Sequence, residues 1–305
     1  ITMRNNFITQ LTIEAKTNKK IFLIVGDLGY SVVEEFRDKF PDRFLNIGIA
    51  EQNMIGVASG LASEGFCVFV YSIGNFPTLR CLEQIRYNVC YHNNNVNIVS
   101  VGAGYSYAAL GASHHATEDI GILRTLPNLK ILSPSDPNES RLLTKFAINY
   151  NGPTYLRLGK SGEQNISSSS SDNFQAGQIN QIIKSDSKIA VFSTGAISSY
   201  AYNFLKDNNI NSSLYTFPFL TEINEDSICK LFLKYDKIIT IEEHQLSSGF
   251  GSIILEMKNL LENKYPKLKK LSILRKGISN KFLSFAGSQN YFREKAGLKF
   301  NLKEF

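Results

Sequence analysis

Continuous apolar runs rich in β-branched residues recur along the chain: IFLIV (21–25), FCVFVYS (66–72), VNIVSVG (96–102) and LKILS (129–133). Between them lie segments with helical periodicity, at 32–40, 52–63, 79–92 and 138–149. The runs predict buried strands and the periodic segments predict helices. Strands that are apolar throughout belong in a parallel sheet covered on both faces. The pattern breaks at QNISSSSSDNF (164–174), where five consecutive serines offer no apolar surface to bury, so the stretch reads as a solvated linker. Alternation then restarts. KIAVFSTG (188–195), SSLYTF (212–217) and KIITIEE (237–243) predict strands, with helices at 196–207, 226–233 and 250–261. The expectation is two α/β domains: 1–163 with a mostly parallel sheet, and a smaller one at 175–305 beyond the linker.

Composition agrees with a soluble globular chain: 305 residues, 43% hydrophobic and 20% charged. That length supports a sizeable core without staples. The net charge is +6, yet Lys is interspersed with Asp and Glu. No block of like charge and no basic–aromatic stripe is present, which argues against nucleic-acid binding. A mild basic balance suits anionic small substrates. The four cysteines form no CxxC pair, as expected of free, buried thiols in a reducing cytosol. The first ten residues carry no apolar signal-peptide core, and the run at 21–25 is far too short to span a bilayer. A cytoplasmic protein without membrane contact is expected.

Candidate chemistry starts with LNIGIAEQNMIGVASGLASEG (45–65), which sets Glu51 between a strand-like and a helix-like apolar run. Glu51 reads either as a first-turn carboxylate at the positive end of a helix or as a partly buried acid with a raised pKa, available for proton chemistry. The residues alone leave both readings open. His114 and His115 share a glycine-flanked loop, GASHHATED, but no further metal ligands stand at suitable spacing. Asp27 closes the first strand, where ligands of α/β sheets tend to bind. Arg80, Glu83 and Arg86 follow at helical spacing, as on a solvated face or a subunit contact. Asp136, in SPSDP, reads as a helix cap.

GIAEQNM resembles the motif of the pyrimidine-binding domain of thiamine-diphosphate enzymes, specifically the C-terminal half of transketolases. The likeness continues in order through VYSIGNFPTLRCLEQIR (70–86), LGASHHATEDIGILRTLPNLKILSPSD (110–136) and GPTYLRLGK (152–160). Beyond the linker, STGAISSYA and TIEEHQLSSGFGS resemble the transketolase C-terminal domain. The resemblance implies that Glu51 hydrogen-bonds N1′ of the cofactor's aminopyrimidine, favouring the imino tautomer that deprotonates the thiazolium. It implies Phe76 stacked on the pyrimidine, Asp27 near the thiazolium, and His114 at the donor ketose oxygen. It aligns Lys160 with an arginine that grips the sugar phosphate, with Arg157 as the neighbouring alternative. Glu242–His244 and the following SGFG are expected to shape the C-terminal domain and a dimer contact.

The sequence departs from the family at three points. SIGNFPT is spaced differently from the usual loop around the stacking aromatic. Ala109 and Leu110 stand where many transketolases carry an acid. The only Gly-Asp pair, Gly26–Asp27, is followed by Leu28, and no asparagine pair lies one βα unit on. The diphosphate and Mg²⁺ site is therefore expected on a partner, the N-terminal transketolase subunit. The resemblance implies the second subunit of a split transketolase in an α₂β₂ heterotetramer self-associating through this chain. Such a complex moves a two-carbon ketol unit between sugars or sugar phosphates, with thiamine diphosphate shared between subunits. A 2-oxoacid dehydrogenase beta subunit, an activity like 1-deoxyxylulose-phosphate synthase, and a non-catalytic scaffold subunit are the competing expectations.

Overall fold

The computed structural model describes residues 2–167 and 173–305; the middle of the expected linker lies outside the described residues. The first sheet contains β1 (Ile21–Val25), β2 (Phe44–Asn46), β3 (Cys67–Ile73), β4 (Val96–Val101), β5 (Lys130–Leu132) and β6 (Thr154–Leu158). Its order is β2-β1-β3-β4-β6-β5, and every neighbouring pair is parallel. The second sheet contains β7 (Asn180–Ile183), β8 (Ile189–Ser193), β9 (Ser213–Thr216), β10 (Lys237–Gln245) and β11 (Ser272–Ile278). Its order is β11-β10-β8-β9-β7, with β7 antiparallel to β9. The expected α/β class with a parallel first sheet is what the chain adopts. β4 and β6 are buried at every position, as strands covered on both faces must be.

Helices cover both faces of the first sheet. On one, Met3, Phe7, Leu11 and Ala15 of helix Met3–Ala15 join Leu23, Phe69 and Leu143. On the other, Met54, Ile55 and Ala58 of helix Glu51–Ser63 meet Val68, Val70 and Ile98. This second core runs on through Ile131 and Tyr155 to Phe192, Phe217 and Phe250, so the two sheets share packed apolar volume. The edge of β5 is closed by the second sheet's layer: Ser133 N donates to Pro218 O at 2.8 Å and Leu220 N to Ile131 O at 3.0 Å. An otherwise open sheet edge is thereby paired.

One expectation changes. The 79–92 helix is not one α-helix but a 3₁₀ turn (Leu79–Cys81), one α-turn (Leu82–Gln84) and a π-helical stretch (Ile85–Tyr91). Its buried residues Cys81, Ile85, Val89 and Cys90 pack into the core shared with Met54 and Val68. The described flanks of the serine-rich segment are pinned. Asp136 caps its helix by accepting from Glu139 N at 2.7 Å, and its other oxygen accepts from Ile166 N and Ser167 N at 2.9 and 2.7 Å. On the far flank, Phe174 packs against Phe219.

Glu139 ties the layers together. Its Oε1 accepts from Thr216 Oγ1 at 2.6 Å and Asn180 Nδ2 at 2.8 Å, and its Oε2 from Ser135 N at 2.8 Å. Burial, reinforced by the neighbouring Asp136 charge, pushes its pKa up to about 7 despite these donors. A carboxyl whose folded pKa is raised stabilises the fold fully below its unfolded value and loses that contribution as pH rises through the folded value. Thermal unfolding of the wild type against Glu139→Gln should therefore show a wild-type advantage that shrinks between pH 4.5 and about 7. A pH-independent difference would refute this assignment.

Candidate active site

In the order β2-β1-β3 successive strands are added first on one side of β1 and then on the other, and ligands of open α/β sheets bind at the carboxyl ends of strands beside such a switch. The loops leaving β1, β2, β3, β4 and β6 at that edge carry Gly26–Asp27, Glu51, Phe76–Arg80, His114 and Lys160 respectively. Glu51 opens the helix Glu51–Ser63, whose N-cap Ala50 offers no capping side chain. It stands in the helix's first turn and is buried, at 2% exposure. Gly26 lies against it, since a Cβ there would stand 3.8 Å from Glu51 Cγ and 3.6 Å from Ser72 Oγ.

From Glu51 a row of side chains crosses the sheet edge. Arg80 Nη1 donates to Glu51 Oε2 at 2.8 Å. The Arg80 guanidinium lies over the Phe76 ring, 4.8 Å from its centroid. Phe76 meets His114 edge-on at 5.2 Å, and His114 approaches the Tyr107 ring at 6.3 Å. Lys160 Nζ sits over the other end of the row, 4.6 Å from the Tyr107 centroid. Burial pushes the Tyr107 phenol up, and the charge of Arg4 partly opposes this, which places a second cation within electrostatic reach of that end. Arg4 Nε is buried without a hydrogen-bond partner among the described residues.

The adjacent histidines are separated by environment. His114 is half-buried with Nδ1 3.0 Å from Ser113 Oγ. His115 is buried between Tyr105 and Phe292, its pKa lowered by burial, and contributes packing. Asn75 Nδ2 donates to His115 O at 2.5 Å, so the β3 loop and the histidine loop are fastened together.

Two candidates fall elsewhere. Asp27 is exposed, adopts φ 55°, and exchanges hydrogen bonds of 3.0 Å with Asn46. It lines a crevice of about 130 Å³ with Tyr30 and Arg37, outside the row that starts at Glu51. Arg157 cannot serve as an exposed phosphate grip. It is 2% exposed, and its guanidinium donates to Asp119 Oδ2 at 2.7 Å, to Ala116 O at 2.9 Å and to Glu243 O at 3.0 Å. Burial is the strongest influence on Asp119 and would raise it, but the Arg157 and His244 charges together with the hydrogen bonds from Arg157 and Tyr155 hold the carboxyl below its ordinary value. Tyr155 OH adds a bond of 2.5 Å to Asp119 Oδ2.

Glu243 and His244 hold the second sheet to the histidine loop and the helix that follows it. Glu243 Oε1 accepts from Tyr105 N at 2.6 Å, and His244 Nε2 from Gly121 N at 3.1 Å. Gly104 has φ 59°, and a Cβ there would come within 2.5 Å of Glu243 Cγ, so only glycine allows this approach. Glu242 instead caps helix Phe250–Glu262, accepting from Phe250 N and Gly251 N at 2.5 and 2.8 Å. Sequence reasoning missed Arg80 as Glu51's partner, and it missed Tyr107 and Arg4. The one available signal was that the 70–86 motif joins Phe76 and Arg80 on a single loop.

The residues fit an aminopyrimidine: a buried carboxyl group, an aromatic face, and the buried Ser72 Oγ and Asn75 Oδ1, which have no partner among the described residues. Among the described residues no group of three His, Cys, Asp or Glu is arranged to hold a metal. Burial, and then the Glu51 charge, push the nearby Cys81 thiol up to about 12, so it is no nucleophile. A second crevice of about 480 Å³ lies between the layers, but its charges are mutually paired, Arg124 with Glu256 and Lys130 with Glu222.

Fold and site together describe an α/β chain of two sheets with its candidate residues at a parallel sheet's switch point. Residues 1–163 match the family described as "Transketolase, pyrimidine binding domain". The chain is 32% identical to a subunit of the apulose-4-phosphate transketolase of Phocaeicola vulgatus, over 87% of this chain and 86% of that protein. It is also 32% identical to a putative transketolase C-terminal section of Methanocaldococcus jannaschii, over 84% and 81%. A solved split-gene transketolase, described as an inactive beta4 tetramer, superposes with a TM-score of 0.82 at 29% identity, covering 98% of this chain and 94% of that one. The chain belongs to the transketolase family and corresponds to its C-terminal half.

Because Arg157 and Asp119 form a closed buried pair, Asp119→Asn should cost about 3–5 kcal/mol by stranding the guanidinium. Denaturant unfolding would measure it, and a loss under about 1 kcal/mol would show the pair to be dispensable.

Proposed function

We propose that this chain is the second subunit of a split transketolase. It moves a two-carbon ketol unit from a ketose phosphate to an aldose phosphate once an N-terminal subunit supplies the diphosphate site. The observation that carries the proposal is the unbroken row Glu51–Arg80–Phe76–His114–Tyr107–Lys160 along the switch-point edge. Bound thiamine diphosphate supplies the carbon nucleophile and the electron sink for the transferred fragment. Glu51 would hold the aminopyrimidine ring nitrogen, and Phe76 would offer its ring face. His114 has Nδ1 beside Ser113, so its other nitrogen is the one to exchange a proton at the sugar oxygen. Lys160 and Arg4 give the far end the charge that a phosphate requires. Mg²⁺ would be held mainly by the partner subunit.

An α₂β₂ assembly is the expected working form, and the exposed apolar residues Tyr30 and Ile49, on the segments after β1 and β2, are available for a subunit contact. Four buried free cysteines suit the reducing cytoplasm, and among the described residues no helix is long and apolar enough to cross a membrane. The relatives described above are transketolase subunits or sections, which supports ketol transfer over 2-oxoacid decarboxylation and over a scaffold role.

Calorimetry of thiamine diphosphate and Mg²⁺ with this chain alone, then with the N-terminal subunit, tests the reading. Binding is expected only in the mixture; tight binding to the lone chain would overturn it. In the complex, Glu51→Gln should lower ketol transfer by about 10²–10⁴-fold with the fold intact. Lys160→Ala should raise KM for phosphorylated acceptors about tenfold or more and leave unphosphorylated ones unaffected. Equal effects on both acceptor types would remove Lys160 from the phosphate site.

A further inference from the structure

Arg80 covers both of the groups assigned above to the aminopyrimidine. It donates to Glu51 Oε2 at 2.8 Å while its guanidinium lies 4.8 Å from the Phe76 centroid. The pair is lopsided: the Glu51 side chain is 2% exposed and that of Arg80 is 48% exposed. Arg80's backbone is fixed, with N donating to Asn75 O at 3.3 Å and O accepting from Gln52 Nε2 at 3.1 Å. The root of the residue is therefore anchored and its head reaches solvent.

A guanidinium is flat, carries hydrogen-bond donors around its edge, and stacks on aromatic faces. An aminopyrimidine likewise presents one edge to a carboxyl group and one face to a ring. The two cannot occupy Glu51 and Phe76 together. Leaving a buried carboxylate without a partner is costly, so a chain without cofactor needs such a substitute.

We propose that Arg80 is a stand-in for the cofactor's pyrimidine: it satisfies Glu51 and covers Phe76 in the empty subunit, and swings out when thiamine diphosphate enters. This rests on the function proposed above. It makes Arg80 a positioning residue whose closed state competes with the cofactor and weakens the apparent affinity by the fraction of time the site is closed.

The test is calorimetric titration of thiamine diphosphate with saturating Mg²⁺ into the assembled two-subunit complex, comparing wild type with Arg80→Gln and Arg80→Lys. Arg80→Gln should bind the cofactor about three- to tenfold tighter, and Arg80→Lys should shift the same way by less. The lone Arg80→Gln chain should unfold at a lower temperature than wild type, and adding Glu51→Gln should restore it. Unchanged or weaker cofactor binding in the variants would overturn the proposal, since Arg80 would then stay with Glu51 and orient it. If Arg80→Gln fails to fold, Arg80→Lys, which keeps the charge but loses the flat face, decides the question by the same sign. A wild-type complex that binds no cofactor at all would overturn the function proposed above and this inference with it.

Discussion

Arg157, the next-to-last residue of β6, is a cation with no route to water, and its surroundings are arranged to keep that charge satisfied. Asp119 neutralises it, and the carbonyls of Ala116 and Glu243 take further donors. Each partner comes from a different part of the fold: the helix after the histidine loop, the loop itself, and β10 of the second sheet. A buried guanidinium tolerates little displacement of its acceptors, because each bond lost leaves a donor or a charge unsatisfied in a low dielectric. The pair therefore fixes where the loop can lie. Glu243 and His244 fasten the same loop again from β10. His114 is held over Phe76 as a consequence, although it touches none of these charges itself.

Two kinds of ionic contact can be distinguished by exposure. Arg157–Asp119 is closed on both sides, and Glu139 and Glu242 likewise spend their oxygens on internal donors. Glu51–Arg80 is closed on one side only. The first kind assembles the layers; the second stands at the sheet's switch point with one partner reaching solvent. The same contrast separates His115, locked among aromatic rings, from its neighbour His114. Arg157–Asp119 is thus sealed on both sides, whereas Glu51–Arg80 joins a sealed carboxyl group to a head that reaches solvent.

The second α/β unit thus helps to position the loops of the first. It closes the β5 edge, shares a core with the first sheet, and supplies the acceptors that hold the histidine loop. A C-terminal domain in this family half is consequently not separable from the geometry of the pyrimidine-binding domain. Lys160 also lies at this junction, immediately after β6 and before the segment pinned by Asp136.

Apolar periodicity and ordered motifs are local properties of a chain, so the strand–helix alternation, the parallel first sheet and the family were all legible in the order of residues. So was the placing of Phe76 and His114 on loops, but the strands before Glu51 and Lys160, β2 and β6, were not. The polar N-terminal helix, the short edge strands and the π-helical turn were not. Helix Met3–Ala15 mixes polar residues into its buried face, and strands of three or four residues carry too little pattern. Which charges are spent on each other emerged only once the layers were packed. Arg157 lies 38 residues from Asp119 and 86 from Glu243, and Arg80 lies 29 from Glu51. No spacing rule spans such distances. Burial, which depends on every element packed around a residue, turned one expected phosphate ligand into a structural cation and gave Glu51 an unexpected partner.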